Sequence, residues 1–195
     1  METTDAIHVV SWPECEPRLL RPGQNREEFA TYRAGGGYRP LRDAGELLRD
    51  VEAGGLLGRG GAAFPLATKL RTVRDNGRHA GAGGTVVIAN GEEGEPTSVK
   101  DRWLLRNRPH LILDGLRLAA TIVGARRAYV YVSDQESARS VEAALAELEA
   151  GALGGVAVDI WTVQPGYVAG EETAAVRSIN GGPAKPTDKP PRPFQ

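Results

Sequence analysis

The stretch Thr85-Val86-Val87-Ile88-Ala89-Asn90-Gly91-Glu92-Glu93-Gly94-Glu95-Pro96 decides the fold of this chain. Its first part is a short run of apolar and β-branched residues, which predicts a buried strand over residues 85–89. Its second part is acidic and glycine-rich, which predicts a loop at the carboxyl end of that strand. Ligands bind at the carboxyl ends of strands in open α/β sheets, so this loop is a candidate binding site.

Further strands and helices alternate around this stretch. Apolar runs predict strands over residues 128–132 and 156–163. Amphipathic or capped segments predict helices over residues 43–53, 66–73, 97–107, 110–123, 137–148 and 171–179. Strands that alternate with helices form a parallel sheet covered by helices. We therefore predict an α/β fold, in which a mostly parallel sheet carries helices on both faces.

The chain divides into three predicted regions. Residues 1–40 carry scattered apolar residues, prolines and glycines, which predicts an irregular N-terminal arm. Residues 41–182 form the predicted α/β domain, and residues 183–195 form an extended, proline-rich tail. A length of 195 residues suits one domain with such additions.

Composition excludes several classes of function. The net charge of -1 gives no general attraction to nucleic acid or to anionic lipid. The single cysteine, Cys15, excludes an internal disulfide and a four-cysteine zinc or iron–sulfur site built from this chain alone. No secretory signal and no apolar run of membrane-spanning length is visible. We expect a cytoplasmic protein that does not insert directly into a membrane. We also expect that it does not bind nucleic acid and has no metal site built from its side chains alone.

A glycine-rich stretch precedes the second predicted helix: Gly58-Arg59-Gly60-Gly61-Ala62-Ala63-Phe64-Pro65. Backbone N–H groups in such a turn form an anion-binding concavity, and the following helix adds the positive end of its dipole. The stretch predicts either a site for a phosphate-bearing cofactor or a flexible loop. A helix precedes it where the Rossmann fingerprint requires a strand, and it lacks the GK[ST] ending of a phosphate-loop hydrolase. The stretch therefore favours neither a Rossmann dinucleotide site nor a phosphate-loop hydrolase.

A third cluster, Gly166-Tyr167-Val168-Ala169-Gly170-Glu171-Glu172-Thr173, precedes the last predicted helix. The three clusters occur in order with Lys69, Lys100-Asp101-Arg102 and Lys189-Pro190-Pro191. In this order and spacing they resemble the flavin-bearing subunit of respiratory NADH:quinone oxidoreductase (complex I), and of related NAD-dependent hydrogenases and formate dehydrogenases. The resemblance covers roughly residues 41–194.

This resemblance implies a non-standard Rossmann-like domain that binds FMN and oxidises NADH. It implies Glu95 and Glu172 as catalytic residues on the nicotinamide side, and Lys69 as a cation that stabilises the reduced flavin. The implied cofactor-binding residues are Gly58, Arg59, Gly60, Gly61, Phe64, Lys69, Asn90, Glu92, Tyr167, Gly170, Glu171 and Lys189. The implied partner is an iron–sulfur electron-transfer subunit, which is a thioredoxin-like 2Fe-2S protein in the family. Such a complex would place the chain at the inner membrane as a peripheral protein.

Several positions depart from the family pattern. Ala63 stands where the family has the last loop glycine, Glu92 where it has aspartate, and Ala169 where it has cysteine. Thr72 and Arg192 replace aromatics around the NADH adenine, and each lost stacking contact weakens binding by about 1 kcal/mol. NADH, NADPH or no nicotinamide at all therefore remain open as the donor, with Arg192 suited to a 2′-phosphate. A non-catalytic flavin- or nucleotide-binding module, or an assembly module, is the alternative function.

Family members continue beyond the matched region. They add an asparagine-rich segment that completes the FMN phosphate site, a ubiquitin-like fold and a helical bundle with a 4Fe-4S cluster. The 195-residue sequence does not distinguish a fragment of a longer protein from a natural short form. If Gln195 is the end of the polypeptide, we expect weak FMN affinity and no iron–sulfur cluster on this chain.

Other polar and aromatic residues are predicted to be structural. Lys100, Asp101 and Arg102 are expected to form an ion network at a helix start. Tyr129 and Tyr131 are expected to pack within a strand. His110 follows Pro109 and is expected to open a helix, while Cys15 is expected to be a plain thiol.

Overall fold

The computed structural model describes residues 9–10, 13–14, 19–20, 25–59, 62–77, 84–95, 97–188 and 193. Within these ranges a parallel sheet contains β1 (Val86–Asn90), β2 (Arg127–Val132) and β3 (Ala157–Thr162) in the spatial order β1-β2-β3. Ile88 lies opposite Tyr129, which lies opposite Asp159. The predicted α/β fold with a parallel sheet is confirmed.

Helices cover both faces of this sheet. They are α1 (Phe29–Ala34), α2 (Ala44–Ala53), α3 (Leu66–Gly77), α4 (Lys100–Asn107), α5 (Pro109–Val123), α6 (Gln135–Ala146) and α7 (Glu172–Ile179). Val130 and Ile160 belong to the apolar core shared with α5 and α6. Trp161 points to the opposite face, because side chains alternate along a strand, and its Nε1 donates to Ser178 Oγ on α7 at 3.1 Å. No helix in the described part of the chain is long and apolar enough to cross a bilayer.

Helix α5 is the central helix of the core. Pro109 occupies its first position, where a missing N–H costs nothing, and Gly124 ends it with a left-handed φ of 72°. Leu113 and Ala120 on its inner face have no exposed surface. His110 opens the helix as predicted, and its buried ring lies 3.0 Å from Glu147 Oε2.

The N-terminal arm is only partly irregular. The prediction was wrong for Phe29–Ala34, which form α1 and pack against α5. Tyr32 is buried and its hydroxyl donates to Asp114 at 2.8 Å, while the Tyr38 N–H donates to the same carboxylate at 2.9 Å. Six residues are too few to show helical periodicity, and it is the contacts with α5 that stabilise this helix.

Side chains from preceding loops set two helix starts. The prediction that α4 begins at residue 97 was wrong, because the Glu93 carboxylate accepts from the Ser98 hydroxyl at 2.6 Å and from the Arg102 N–H at 3.1 Å. Residues 97–99 therefore remain with the acidic loop. Helix α6 starts at Gln135, earlier than predicted, because Asp134 caps it by accepting from the Ser137 N–H at 2.8 Å. Helix α3 continues to Gly77, beyond its predicted end.

Strand β1 is not buried as predicted. Val86 is 43% exposed, and Val87, Ile88 and Ala89 are each partly exposed. Within the described residues β1 lies at the edge of the sheet, with β2 on one side. An apolar run is compatible with a central strand and with an edge strand, so its neighbours decide its burial.

Asp134 provides an acid-sensitive contribution to stability. Arg106 donates to its two carboxylate oxygens at 2.8 and 2.6 Å, and the Ser137 hydroxyl donates at 2.6 Å. Burial acts to raise the pKa of Asp134, but Arg106 and Ser137 lower it to about 2 from 3.8. Because the folded pKa lies below the unfolded one, this stabilisation is complete above the unfolded value and is lost as the pH falls towards 2.

We expect Asp134→Asn to lower the free energy of unfolding by about 2 kcal/mol near neutral pH. The loss should disappear near pH 2, where the wild-type carboxyl is itself protonated. Urea unfolding at both pH values measures the difference. An equal loss at both would contradict the assignment and leave only the capping role of Asp134.

Candidate functional site

Two loops meet near the carboxyl end of the sheet, beside helix α3. The end of β1 is joined to the loop before α7, because Asn90 Nδ2 donates to the Gly170 carbonyl at 2.7 Å. Helix α3, which follows the glycine loop, approaches them through Lys69, whose Nζ lies 3.8 Å from the Glu172 carboxylate at the start of α7. The structure thus brings together the second and third sequence clusters and Lys69.

Glycines allow two of these loops to pack backbone against backbone. A Cβ on Gly170 would lie 2.6 Å from the Glu92 carbonyl oxygen. A Cβ on Gly94 would lie 2.6 Å from the Tyr167 carbonyl oxygen. Both distances are too short for any side chain, so the contact between the loops requires glycine at both positions.

Glu92 places a buried carboxylate where the loops meet. The residue is 7% exposed, and its Oε1 accepts from the Gly166 N–H at 3.3 Å. Its Oε2 is buried and has no hydrogen-bond partner among the described residues. A buried acceptor without a donor is destabilising, so this oxygen is available to a ligand that carries hydroxyl groups.

Glu93, the next residue, is fully engaged within the protein. Its side chain is 3% exposed and lies 3.4 Å from Lys100 Nζ and 3.7 Å from Arg102 Nε. Burial acts to raise its pKa, but hydrogen bonds from the start of α4 and from Ser98 hold it below the usual range. Lys100 also pairs with Asp101 at 2.6 Å, so the predicted ion network is confirmed. This network fixes the acidic loop against α4.

The two glutamates at the start of α7 have different surroundings. Glu171 caps the helix, and its carboxylate accepts from the Thr173 N–H at 2.9 Å and from the Ala174 N–H at 3.4 Å. Glu172 faces Lys69 across the site. The first residues of the tail approach the same helix start, where the Thr187 N–H donates to Thr173 Oγ1 at 3.0 Å.

The remaining candidate residues lie at the rim or beyond the described ranges. Tyr167 is 75% exposed and Phe64 is 40% exposed, while Arg59 and Glu95 are also exposed. The Gly58 N–H donates to the Phe64 carbonyl at 2.9 Å and closes the glycine loop. Gly60, Gly61 and Lys189 lie outside the described residues, as do Cys15 and Arg192.

Tyr131 supports the site in a way that the sequence did not indicate. Its ring has no exposed surface, which confirms the packing role predicted for it, and Tyr129 packs edge-on against Trp161. The Tyr131 hydroxyl also donates to the Ala169 carbonyl at 3.0 Å. A buried tyrosine hydroxyl needs a hydrogen-bond partner, and this one holds the loop before α7 against the sheet.

A family model described as the Nuo51 FMN-binding domain (Complex1_51K) matches residues 51–195. The chain belongs to this FMN-binding family. The complex I resemblance inferred from the motifs is therefore confirmed, and FMN is the cofactor that family membership assigns. No group of three His, Cys, Asp or Glu residues that could hold a metal ion occurs in the described ranges.

Curated relatives of this FMN-binding chain are components of NADH-quinone oxidoreductases. It is 38% identical to one such component from Rhizobium meliloti, over 91% of this chain and 46% of the relative. It is 32% identical to the corresponding component from Escherichia coli, over 95% of this chain and 45% of the relative. The chain thus spans about half the length of the curated relatives it matches.

A solved structure shares the fold of this FMN-binding chain. The NAD+-reducing [NiFe]-hydrogenase in its air-oxidised state superposes with a TM-score of 0.70 at 37% identity. The match covers 77% of this chain and 26% of the hydrogenase chain.

The site residues fit FMN. The buried Oε2 of Glu92, which has no hydrogen-bond partner among the described residues, offers an acceptor of the kind that a ribityl hydroxyl requires. The glycine loop leads into the start of α3, where a helix N-terminus favours a phosphate. Lys69 contributes a cation, since it lines the same groove as Asn90 and Glu172.

Ala63 is strained where the family has glycine. Its φ is +49°, a left-handed conformation that costs a residue with a Cβ about 1–2 kcal/mol. We expect Ala63→Gly to raise the free energy of unfolding by about 1 kcal/mol, since glycine adopts this conformation freely. Urea unfolding measures the change. The neighbouring Ala62→Gly is the control and should be neutral or destabilising, so equal stabilisation by both would contradict the explanation.

Proposed function

We propose that this chain is the FMN-binding domain of an NADH dehydrogenase that passes electrons to an iron–sulfur partner subunit. The observation that best supports the proposal is the buried Glu92 Oε2, which lacks a hydrogen-bond partner among the described residues and lies where the loop after β1 meets the loop before α7. Bound FMN would supply the redox chemistry, as hydride acceptor and single-electron donor, and the protein itself would supply binding, orientation and electrostatics.

The residues of the site divide these tasks. Asn90 and Glu92 lie side by side, with the Glu92 N–H donating to Asn90 Oδ1 at 3.3 Å, and would hold the ribityl chain. The backbone of the loop around Gly58 would receive the phosphate. Tyr167, Gly170 and Glu171 would line the flavin, and Glu95 and Glu172 would face the nicotinamide.

Lys69 would tune the reduction potential of the flavin. Its ammonium stabilises negative charge nearby, so we expect Lys69→Met to lower the two-electron potential by about 30 mV, which equals about 1.4 kcal/mol. Arg71→Met is the control, because Arg71 lies on the same helix but pairs with Glu52 at 2.7 Å. Anaerobic titration with reference dyes measures both variants. An unchanged potential in Lys69→Met would contradict the role.

Rapid mixing of the FMN-loaded chain with NADH or NADPH under anaerobic conditions tests the proposed donor. We expect loss of the oxidised flavin absorbance with NADH. Faster reduction by NADPH would instead indicate NADPH as the donor. A basic residue such as Arg192 would then bind its 2′-phosphate.

A non-catalytic flavin-binding module is the second candidate. Thr72 favours it, because its hydroxyl donates to the Thr68 carbonyl of its own helix at 3.0 Å and provides no aromatic surface for adenine. Flavin that is bound yet not reduced by either nicotinamide would support this candidate and contradict the first.

The cellular placement and the partner follow from the same proposal. An iron–sulfur subunit would receive the electrons, and the chain would lie in the cytoplasm or at the inner membrane as part of such a complex.

A further inference from the structure

Two side chains of the sheet hold two successive carbonyls of the loop before α7. The Tyr131 hydroxyl donates to the Ala169 carbonyl at 3.0 Å, and Asn90 Nδ2 donates to the Gly170 carbonyl at 2.7 Å. Asn90 of β1 and Tyr131 of β2 lie opposite each other in the parallel register, so their side chains extend from the same face of the sheet. The loop is therefore attached to the sheet at both carbonyls.

The contact with Tyr131 also sets the direction of one N–H group. A trans peptide is planar, and its carbonyl and its N–H point in opposite directions. Because the Ala169 carbonyl accepts from Tyr131, the Gly170 N–H of the same peptide points away from the Tyr131 hydroxyl. It therefore lies on the side of the loop that does not face the sheet.

The Gly170 N–H has no acceptor among the residues that the structure describes. The N–H groups before and after it are both engaged within the loop. The Ala169 N–H donates to the Gly166 carbonyl at 2.9 Å. The Glu171 N–H donates to the Val168 carbonyl at 3.1 Å. Of these three consecutive N–H groups, the central one is thus available to a ligand.

Gly170 cannot hold this peptide in place by itself. Glycine has wide conformational freedom, so the bonds that flank the peptide before it can rotate. Asn90 fixes the following peptide, through the Gly170 carbonyl, and leaves the preceding one to Tyr131. The Tyr131 side chain has no exposed surface, and its burial raises the pKa of the phenol, so the hydroxyl stays protonated and can donate.

An N–H donor at this position complements the carboxylates of the loops. Glu92 lies against Gly170, because a Cβ on Gly170 would meet the Glu92 carbonyl oxygen at 2.6 Å. Carboxylates accept hydrogen bonds, whereas the ring of a flavin also has nitrogen and oxygen acceptors that need donors. Hydrogen bonds to the ring tune its electronics, and a preorganised donor favours the negative charge that reduction adds.

We propose that Tyr131 is a positioning residue of the flavin site, which acts through the Ala169–Gly170 peptide to present the Gly170 N–H to the flavin ring. The inference rests on the proposed function, because it takes FMN as the ligand of this N–H. It assigns Tyr131 an effect on the reduction potential that a residue which only packs beneath the loop does not have.

Tyr131→Phe tests the proposal, since it removes the hydroxyl and keeps the ring. Tyr129→Phe is the matched control. Tyr129 lies two residues earlier on the same strand and on the same face, and it packs edge-on against Trp161. Its hydroxyl makes no hydrogen bond among the described residues. Far-ultraviolet circular dichroism checks that both variants are folded.

Three measurements on the 195-residue chain follow the Gly170 N–H and the flavin. Amide exchange by nuclear magnetic resonance should show that saturating FMN slows exchange at Gly170 by about tenfold or more in the wild type. This protection should be lost in Tyr131→Phe, and the FMN dissociation constant should rise by about 3- to 10-fold. The equilibrium constant for flavin reduction should fall by about tenfold, which lowers the two-electron potential by about 30 mV. Tyr129→Phe should match the wild type in all three.

Two results would overturn the inference alone. One is FMN that binds to the wild type without slowing exchange at Gly170, which decides the matter even if Tyr131→Phe does not fold. The other is a Tyr131→Phe variant that binds FMN more weakly but keeps the protection and the potential, because Tyr131 then only stabilises the loop.

The same measurements separate this inference from the proposed function. A wild-type chain that takes up no FMN at saturating flavin would reject both. Protection of Gly170 by FMN that neither nicotinamide reduces would support the positioning role of Tyr131 and reject the NADH dehydrogenase.

Discussion

Glu92→Gln should weaken FMN binding by about 10- to 100-fold, because a charge-assisted hydrogen bond to a ribityl hydroxyl becomes a neutral one. The same substitution should raise the free energy of unfolding of the flavin-free protein by about 1 kcal/mol, since it removes charge from a buried acceptor that lacks a donor. Binding and stability are thus expected to change in opposite directions. Fluorescence titration with FMN and urea unfolding measure the two quantities.

The adjacent Glu93 gives a matched control. Its carboxylate accepts from Ser98 and Arg102 and pairs with Lys100, so Glu93→Gln should lower the free energy of unfolding rather than raise it. Because the folded pKa of Glu93 is lowered, its contribution is present above the unfolded pKa and is lost as the pH falls through the folded one. If Glu92→Gln lowers the free energy of unfolding as Glu93→Gln does, Glu92 is structural and has no role in binding.

Gly170→Ala should weaken FMN binding by about 100-fold, because displacing this loop removes several flavin contacts at once and each 1.4 kcal/mol lost is about tenfold in affinity. The new Cβ would lie 2.6 Å from the Glu92 carbonyl oxygen, a backbone atom that cannot rotate away. The loop before α7 must therefore move, and it carries the carbonyl to which Asn90 donates. We expect a loss of about 1–3 kcal/mol in the free energy of unfolding as well.

The control for this substitution is Gly115→Ala. Gly115 lies on α5, and a Cβ there would meet nothing within 4 Å. Alanine is a better helix former than glycine, so this variant should bind FMN normally and be stabilised by about 0.5–1 kcal/mol. Unchanged FMN affinity in Gly170→Ala would contradict the placement of the binding site between the two loops.

Much of the architecture follows from local sequence. The apolar runs identified the three strands, and the helix predicted over residues 110–123 corresponds to α5, which begins at Pro109. Hydrogen bonds between side chains were harder to predict from the sequence. Glu93 delays the start of α4 through Ser98, and no local propensity indicates that contact.

The sequence predicted which residues lie near one another in the site, but not which of them are strained or lack a hydrogen-bond partner. Three motifs in order indicated which residues belong together, and the structure joins two of them through Asn90 and brings Lys69 of α3 to Glu172. The strain at Ala63 and the unpaired oxygen of Glu92 depend on backbone angles and burial, which a sequence does not contain. The partial exposure of β1 among the described residues was missed for the same reason.

The most direct test of the account is the visible absorption spectrum of the 195-residue chain after equilibrium dialysis against increasing concentrations of FMN, which detects weak binding as well as tight binding. The contact between the two loops at Glu92 predicts that the wild-type chain takes up one equivalent of FMN at saturating flavin and that Gly170→Ala takes up much less. A folded wild-type chain that takes up no FMN even at saturating flavin would contradict the central claim that these loops form a flavin site.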